Sequence, residues 1–396
     1  MKIRVGVFFG GKSVEHEVSV ISAVQAINAF NREKYDIIPV YITKNNEFYT
    51  GDCVGKIEEY RNIPALLKKS TRIIIVSDQN KTKLVCYPMK KFGDSTVAEI
   101  DVAFPIVHGT NVEDGALQGY LQTLNIPYAG CDVLSSAVGM DKYVMKAVLK
   151  DNGFPVLECV TVNAGEYAKK SDEVIAKITE KVGFPVIVKP INLGSSVGIK
   201  IGRDKEELNE ALDYAFGFAG KVLVEKAVMN LREVNCSVCG DSDEAKASEC
   251  EEPVSSHEIL SFDDKYTGGS KSSKTSGMAS LKRKIPADIS EELRTEIREM
   301  SVKAFKCLGC CGVARIDYML DADTNKIYFN EINTIPGSLA FYLWEPLGTK
   351  YSQLLDIMVS LALKRDRELK NLNFTFESNI LADVKLGGAK GGKLNG

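Results

Sequence analysis

This chain of 396 residues has few long apolar runs, a small net charge and few histidines. The N-terminal apolar stretch stops at Gly10-Gly11, so it is too short for a signal sequence or a membrane span. No other uninterrupted apolar stretch reaches spanning length. The net charge of −3 gives no general reason to expect nucleic acid or an anionic membrane as a partner. We therefore predict a cytoplasmic protein with no membrane or nucleic-acid partner.

Ten cysteines stand beside only three histidines. Cys236-Ser-Val-Cys239 and Cys307-Leu-Gly-Cys310 have the short spacing of zinc ligands. Cys236, however, lies in an alternating, strand-like segment, and a thiol in a reducing compartment is usually a small buried hydrophobe. We expect free buried thiols, and a zinc-stabilised binding module is the alternative.

The length predicts two or three packed domains. Residues 1–134 alternate short apolar runs with helical patterns, which indicates a parallel sheet with helices on its faces. Residues 135–221 indicate an α+β layer with two strands around a Gly-Ser turn. Residues 222–369 hold further strands, a polar stretch and two long helices. The Gly- and Lys-rich tail, 370–396, is expected to be partly disordered. The predicted fold class is therefore α/β and α+β in three domains.

The strongest motif is a predicted antiparallel hairpin over residues 312–333, whose linker is rich in turn formers. Because strand side chains alternate between faces, four polar residues share one face of it: Arg315, Asp317, Glu331 and Asn333. Carboxylate and amide oxygens suit Mg²⁺ beside nucleotide phosphates. A solvated strand face is the alternative. The Thr334–Gly337 turn favours the metal site, because it brings backbone N–H groups next to the carboxylates.

A second motif is a lysine at the end of an apolar strand, followed by a small flexible loop. Lys189 ends the strand, and Ser195 and Ser196 lie between Gly194 and Gly198. Glycines let the backbone approach phosphate closely, and serine N–H and O–H groups donate to it. The loop therefore predicts a phosphate site, with an ordinary hairpin turn as the alternative.

Gly6–Ser13 has the spacing of a P-loop. The residues between its glycines continue the apolar strand that starts at Ile3, so little loop remains for phosphate. A nucleotide-binding regulatory P-loop protein is accordingly the weaker alternative. Ser13 is a predicted helix N-cap, and Glu15 falls in the first turn, where the helix dipole favours a carboxylate. Glu15 is a candidate ligand-binding residue, with a surface acid as the alternative.

Ordered motifs across residues 1–365 together resemble the D-alanine–D-alanine ligases of the ATP-grasp superfamily. These motifs are Gly10–Ser19, His108-Gly109, Glu113–Gly119, Met140–Lys142, Val222–Lys226 and the hairpin with its Glu-x-Asn-Thr-x-Pro-Gly continuation. The resemblance implies a three-domain ATP-grasp architecture with ATP in a cleft between the central and C-terminal domains. It also suggests a homodimer.

The implied activity is an ATP-dependent ligase that makes D-alanyl-D-alanine through D-alanyl phosphate, for peptidoglycan precursor synthesis. It would use ATP and Mg²⁺ (or Mn²⁺) and close a polar lid, near residues 261–280, against water. The implied catalytic residues are Glu15, which holds the ammonium group of the first D-alanine, with Ser195, Arg315 and Gly337. The implied ATP-binding residues are Lys142, Lys189, Ser196, Glu225, Lys226, Glu233 and Lys265. The implied metal ligands are Asp317, Glu331 and Asn333.

Three positions bear on the second substrate. Leu260 stands where the common enzymes have a lid tyrosine, and Tyr266 follows the lid lysine. Tyr342 stands where a serine grips the carboxylate of the second substrate. The Tyr342 departure resembles the vancomycin-resistance branch, in which the second substrate can be D-serine. A D-alanine–D-serine ligase is therefore the alternative, since a few contacts to a hydroxyl can change specificity.

Overall fold

The computed structural model describes residues 2–78, 81–194, 196–253 and 283–374. Within them, three β-sheets follow one another along the chain. The first has seven strands: β1 (Ile3–Gly10), β2 (Tyr35–Ile42), β3 (Phe48–Thr50), β4 (Thr71–Asp78), β5 (Lys81–Cys86), β6 (Thr96–Ile100) and β7 (Val102–Ile106). Their order is β6-β5-β4-β3-β2-β1-β7. The expected parallel pairing holds at β2-β1-β7, and the outer strands pair antiparallel.

The helices up to residue 151 are α1 (His16–Ala29), α2 (Ile63–Lys69), α3 (Ala116–Thr123), α4 (Val133–Met140) and α5 (Lys142–Asp151), of which α5 packs in the core of the third sheet. The prediction that Ser13 caps α1 is wrong. The N-cap is Glu15, and the Ser13 hydroxyl instead accepts a hydrogen bond from the Glu15 N–H at 3.1 Å. The shift follows from Gly10 and Gly11, both at positive φ, which turn the chain before the helix begins.

The first five residues of the P-loop lookalike, Gly6–Gly10, belong to β1, an interior strand of the first sheet. Residues 6–10 pair with β2 on one side, and residues 6–9 pair with β7 on the other. Val7, Phe8 and Phe9 are fully buried. No phosphate-wrapping loop is left between these glycines, so the context argument against a P-loop is confirmed.

The second sheet has the order β10-β9-β11-β8, and all its pairings are antiparallel. Its strands are β8 (Cys159–Asn163), β9 (Val186–Pro190), β10 (Lys200–Gly202) and β11 (Lys221–Lys226), covered by α6 (Ala164–Lys181) and α7 (Lys205–Phe216). The third unit was expected to begin at residue 222, but β11 pairs with β9 and therefore belongs to the second sheet. The other domain limits stay predictions.

The third sheet is antiparallel throughout, in the order β14-β13-β12-β15-β16. Its strands are β12 (Leu231–Gly240), β13 (Ala245–Pro253), β14 (Arg283–Lys284), β15 (Gly312–Asp321) and β16 (Lys326–Asn333), and α8 (Glu291–Cys307) packs on it. Arg315 pairs with Asn333, and Asp317 with Glu331. The predicted hairpin and its polar face are confirmed.

The chain then returns to the first sheet. A 3₁₀ segment, Gly337–Leu343, and the last helix, α9 (Tyr351–Lys370), contribute Leu339, Leu354 and Met358 to the same core as β1. The first and third sheets are thus held together by a shared apolar core. Among the described residues, no helix has the length and apolar character needed to cross a bilayer.

Gly312 marks a close contact between these two parts. Its φ is +82°, and a Cβ built there would lie 2.8 Å from the Cα of Gly130. Gly309 also has positive φ, at +67°, but a Cβ there would meet nothing within 4 Å.

We expect Gly312→Ala to lower the free energy of unfolding by the left-handed strain of about 1–2 kcal/mol plus roughly 1–3 kcal/mol for the backbone clash. Gly309→Ala should show the strain alone. Chemical denaturation of both variants measures the difference, and equal losses would contradict the proposed clash.

Candidate functional site

One cleft contains residues from all three parts of the structure. Eight of the residues singled out from the sequence line it: Glu15, Lys142, Glu233, Arg315, Asp317, Glu331, Asn333 and Gly337. Ser196, Lys189, Glu225, Lys226 and Tyr342 are placed outside its lining. Ser195, Leu260, Lys265 and Tyr266 lie outside the described residues.

The polar face of the hairpin forms one wall of the cleft. The Nε and Nη2 of Arg315 donate to the two carboxylate oxygens of Asp317 at 2.6 and 2.7 Å. Asn333 Nδ2 donates to Asp317 Oδ2 at 3.1 Å. Burial acts to lower the pKa of Arg315, but the Asp317 carboxylate outweighs it and raises that pKa well above its ordinary value. Arg315 is therefore a permanent cation held in a fixed orientation.

A cation already lies against the proposed metal ligands. Lys142 Nζ is 3.2 Å from Glu331 Oε2, and it also donates to the Leu193 carbonyl at 2.8 Å. Within the described ranges, no three His, Cys, Asp or Glu side chains are grouped to hold a metal. The proposed set reaches three only with the amide oxygen of Asn333. Two carboxylates and one amide fit Mg²⁺, which takes few protein ligands when phosphates supply the rest.

Behind this wall, two lysines contact one buried glutamate. We call this group the lysine triad, and its members are Lys146, Lys189 and Glu225. Glu225 is fully buried and contacts both ammonium groups, with its Oε2 at 2.9 Å from Lys146 Nζ. Lys189 Nζ also donates to Asn330 Oδ1 at 3.1 Å. Burial acts to raise the pKa of Glu225, but the two lysines outweigh it and lower that pKa to about 2. A nucleotide contact from Glu225 would therefore come from its backbone, because the carboxylate is held by the lysines.

Two glycine backbones lie close to Glu15 at the other end of the cleft. A Cβ at Gly109 would lie 2.9 Å from Glu15 Oε2, and one at Gly194 would lie 3.0 Å from it. Gly194 and the start of α1 are thus brought together, although 179 positions separate residues 15 and 194. Both glycines leave room for the carboxylate that a larger residue would displace.

Glu113 and His108 hold the turn that follows the hairpin. Glu113 Oε1 accepts from the Ile335 N–H at 2.9 Å, and its Oε2 accepts from the Gly109 N–H at 2.9 Å. His108 Nδ1 donates to the Ile335 carbonyl at 2.9 Å, and Nε2 lies 3.1 Å from Ser22 Oγ. Sequence reasoning noted these two residues as a motif but did not place them in the site.

Burial shifts both groups toward neutrality. It raises the pKa of Glu113 to about 8, with a further contribution from the nearby Glu15 carboxylate. It lowers the pKa of His108 to about 4. The turn carrying Gly337 is therefore tied to the first sheet by neutral hydrogen-bonding side chains at neutral pH.

Three further cleft residues were missed: Asn235, Glu251 and Arg283. Asn235 and Glu251 are opposite each other on β12 and β13. The alternation of Glu233 and Asn235 along β12 could have indicated the first of them. No sequence motif singles out Glu251 or Arg283.

We expect Glu225→Gln to destabilise the protein by about 3–5 kcal/mol, because it leaves two buried ammonium groups without their shared partner. Glu158→Gln is the matched control, because it breaks an exposed ion pair with Lys150, which lies on α5 like Lys146. The side chains of Glu158 and Lys150 are 65% and 58% exposed, so the loss in stability should stay below about 1 kcal/mol. Thermal unfolding at pH 7 measures both. The stabilisation by Glu225 exists above its ordinary pKa of 4.5 and is lost as pH falls toward about 2.

Glu113 gives a pH dependence of the opposite sign. Its folded pKa of about 8 exceeds the ordinary 4.5, so the folded state binds more protons than the unfolded state between these values. Stability should then fall as pH rises through this window, by about 1.4 kcal/mol per pH unit at most. Glu113→Gln removes this slope, so its unfolding free energy should improve relative to that of the parent protein from pH 5 to pH 8. A pH-independent gap between the two proteins would refute the raised pKa.

Comparisons with known proteins agree with this geometry. Residues 4–131 match the family described as D-ala D-ala ligase N-terminus, and residues 148–360 match the D-ala D-ala ligase C-terminus. A protein of Caldicellulosiruptor bescii named D-alanine–D-alanine ligase is 40% identical over 382 residues, covering 95% of this chain and 99% of that protein. One of the same name from Thermosipho melanesiensis is 39% identical, covering 97% and 99%.

Solved structures show the same likeness. The D-alanine-D-alanine ligase from Coxiella burnetii has a TM-score of 0.76 at 30% identity, covering 93% of this chain and 96% of that one. The VanG D-Ala:D-Ser ligase from Enterococcus faecalis has a TM-score of 0.74, also at 30% identity, covering 91% and 100%. The expected ATP-grasp fold class is confirmed. Because the family matches and the relatives span nearly the whole chain, the chain belongs to the D-alanine–D-alanine ligase family.

Proposed function

We propose that this chain joins two molecules of D-alanine at the expense of ATP, forming D-alanyl-D-alanine for peptidoglycan precursors. The observation that carries the proposal is the wall formed by Arg315, Asp317, Glu331 and Asn333, with Lys142 against Glu331. The carboxylate and amide oxygens can hold a metal ion that is bound to a nucleotide, and the positively charged side chains can bind its phosphates. The names of relatives at 40% and 39% identity support D-alanine as both substrates.

The cations of the cleft fit an anionic substrate. The lysine triad has two ammonium groups and one carboxylate, so it carries one excess positive charge that a phosphate can neutralise. Lys142 and Lys189 would contact the phosphates, and Lys142 would then exchange Glu331 for phosphate oxygens. Asp317, Glu331 and Asn333 would hold Mg²⁺ (or Mn²⁺), which neutralises charge on the triphosphate. Ser196, Glu233 and the backbone of Glu225 and Lys226 complete the proposed nucleotide site.

The proposed chemistry has two steps. Glu15 takes the ammonium group of the first D-alanine, and the carboxylate of that substrate attacks the γ-phosphorus of ATP, which releases ADP and forms an acyl phosphate. The amine of the second D-alanine then attacks the acyl carbon. Arg315 and the Gly337 N–H stabilise the oxyanion, the amine loses its proton, and phosphate leaves. Ser195, Lys265 and Tyr266 keep their family-implied roles as predictions.

Two finer proposals rest on family membership: the protein is a homodimer and acts in the cytoplasm. The first is measured by sedimentation of the purified protein. D-serine as the second substrate is not favoured, because the D-Ala:D-Ser ligase structure is no more similar in sequence than the Coxiella ligase.

We expect purified protein with ATP, Mg²⁺ and equal D-alanine and D-serine to yield mainly D-alanyl-D-alanine, identified by mass spectrometry. A mixed dipeptide as the main product would replace the proposal with the D-serine alternative.

Glu331→Gln should lower kcat by about 100-fold or more, because it removes a charge that acts on the transferred phosphoryl group, while thermal unfolding stays close to that of the parent protein. Lys12→Ala, at an exposed position of the P-loop lookalike, should leave kcat unchanged. The reverse pattern would favour the P-loop alternative.

A further inference from the structure

Tyr342 occupies the position where a substrate-gripping serine was expected, yet it is not part of the cleft lining. Its hydroxyl donates to Glu251 Oε1 at 3.2 Å, and its ring lies under the guanidinium of Arg283, with 4.0 Å between Cζ and the ring centroid. Burial, helped by the Glu251 carboxylate, raises the pKa of Tyr342 to about 12. Tyr342 is therefore neutral at neutral pH, and it contacts two residues that do line the cleft, Glu251 and Arg283.

What Tyr342 supports is a charged pair that does line the cleft. Arg283 Nη1 donates to Glu251 Oε2 at 2.8 Å, and their side chains are only 10% and 2% exposed. Asn235 Nδ2 donates to the other carboxylate oxygen of Glu251 at 3.2 Å. The ion pair with Glu251 and the Tyr342 ring thus hold the Arg283 guanidinium at the cleft wall, and hydrogen bonds from Asn235 and Tyr342 hold Glu251.

The proposed reaction requires a cation for a second carboxylate. The carboxylate of the first substrate reacts, but that of the second substrate stays ionised and needs a permanent partner. In the described part of the cleft, the lysine and arginine side chains are those of Lys142, Arg283 and Arg315. Lys142 contacts Glu331, a candidate metal ligand, and Arg315 donates hydrogen bonds from Nε and Nη2 to Asp317. A guanidinium has five N–H donors and can hold two carboxylates at once.

We propose that Arg283 binds the carboxylate of the second amino acid, with Glu251 and Tyr342 as positioning residues. The inference rests on the proposed function, because it assigns a subsite within the same cleft. Arg283 supplies through its charge what the expected serine would supply through a hydroxyl. Since D-alanine and D-serine share this carboxylate, the contact anchors either one and does not choose between them.

The test is an internal competition between two acceptors. Enzyme, ATP and Mg²⁺ are incubated with D-alanine and D-alaninamide at equal concentration, and the two products, D-alanyl-D-alanine and D-alanyl-D-alaninamide, are counted by mass spectrometry. Their ratio measures the preference for an acceptor carboxylate. The difference in basicity between the two amines is the same for every variant, so a change in the product ratio measures the effect of the substitution.

We expect the ratio to fall by about 10- to 100-fold in Arg283→Gln combined with Glu251→Gln, the value of a hydrogen-bonded charge contact. The double change keeps the buried network neutral. The matched control is Arg232→Gln with Glu252→Gln, which removes a 2.8 Å pair between β12 and β13, next to Glu251 in sequence but outside the cleft lining. That control should keep the parent ratio. Tyr342→Phe should lower the ratio by only a few-fold, because it removes the hydrogen bond to Glu251 but keeps the ring contact to Arg283.

An unchanged ratio in a folded Arg283/Glu251 double variant would overturn the assignment. If that variant does not fold, Arg283→Lys decides, because it keeps the charge beside Glu251 but loses the planar fork; the ratio should still fall, and an unchanged value would count against Arg283. Absence of both products with the parent protein would instead refute the proposed function.

Discussion

The register between β15 and β16 is the constraint on which the rest of the site depends. Strand side chains alternate with a period of two, so a slip of one residue would move the whole polar set to the opposite face. Here Arg315 faces Asn333 and Asp317 faces Glu331, while Ile316 and Ile332 are buried in the core beneath. The apolar side chains therefore fix the register, and the polar groups are positioned as a consequence.

Charge balance is the second common feature. Cations in and behind the cleft are matched by carboxylates of the protein: Arg315 by Asp317, Arg283 by Glu251, Lys142 by Glu331, and two lysines by Glu225. Buried charges without partners would be strongly destabilising. The protein can thus fold around a highly charged cleft, and ligand binding becomes an exchange of partners in place of the burial of bare charges.

Local sequence patterns predicted much of the fold and of the candidate site. The residues they missed are positioned by contacts between segments that are distant in sequence. The hairpin face follows from strand alternation over 22 residues, so Asp317 and Glu331 were found directly. The lysine triad was not, because it requires α5, β9 and β11 to meet. Glu113 was noticed in a motif, but its hydrogen bond to Ile335 spans 222 positions. Arg283 and Glu251 were missed because their contacts with each other and with Tyr342 span 32 and 91 positions of the sequence.

The return of the chain to the first sheet has a consequence for biosynthesis. The ribosome synthesises β1 long before α9, yet side chains of both lie in one core. The apolar surface that α9 covers stays exposed until almost the whole described chain has emerged. The core of the N-terminal part is therefore complete only once residues 351–370 have been synthesised, and a chain that ends before residue 351 leaves this surface open to chaperones and to aggregation.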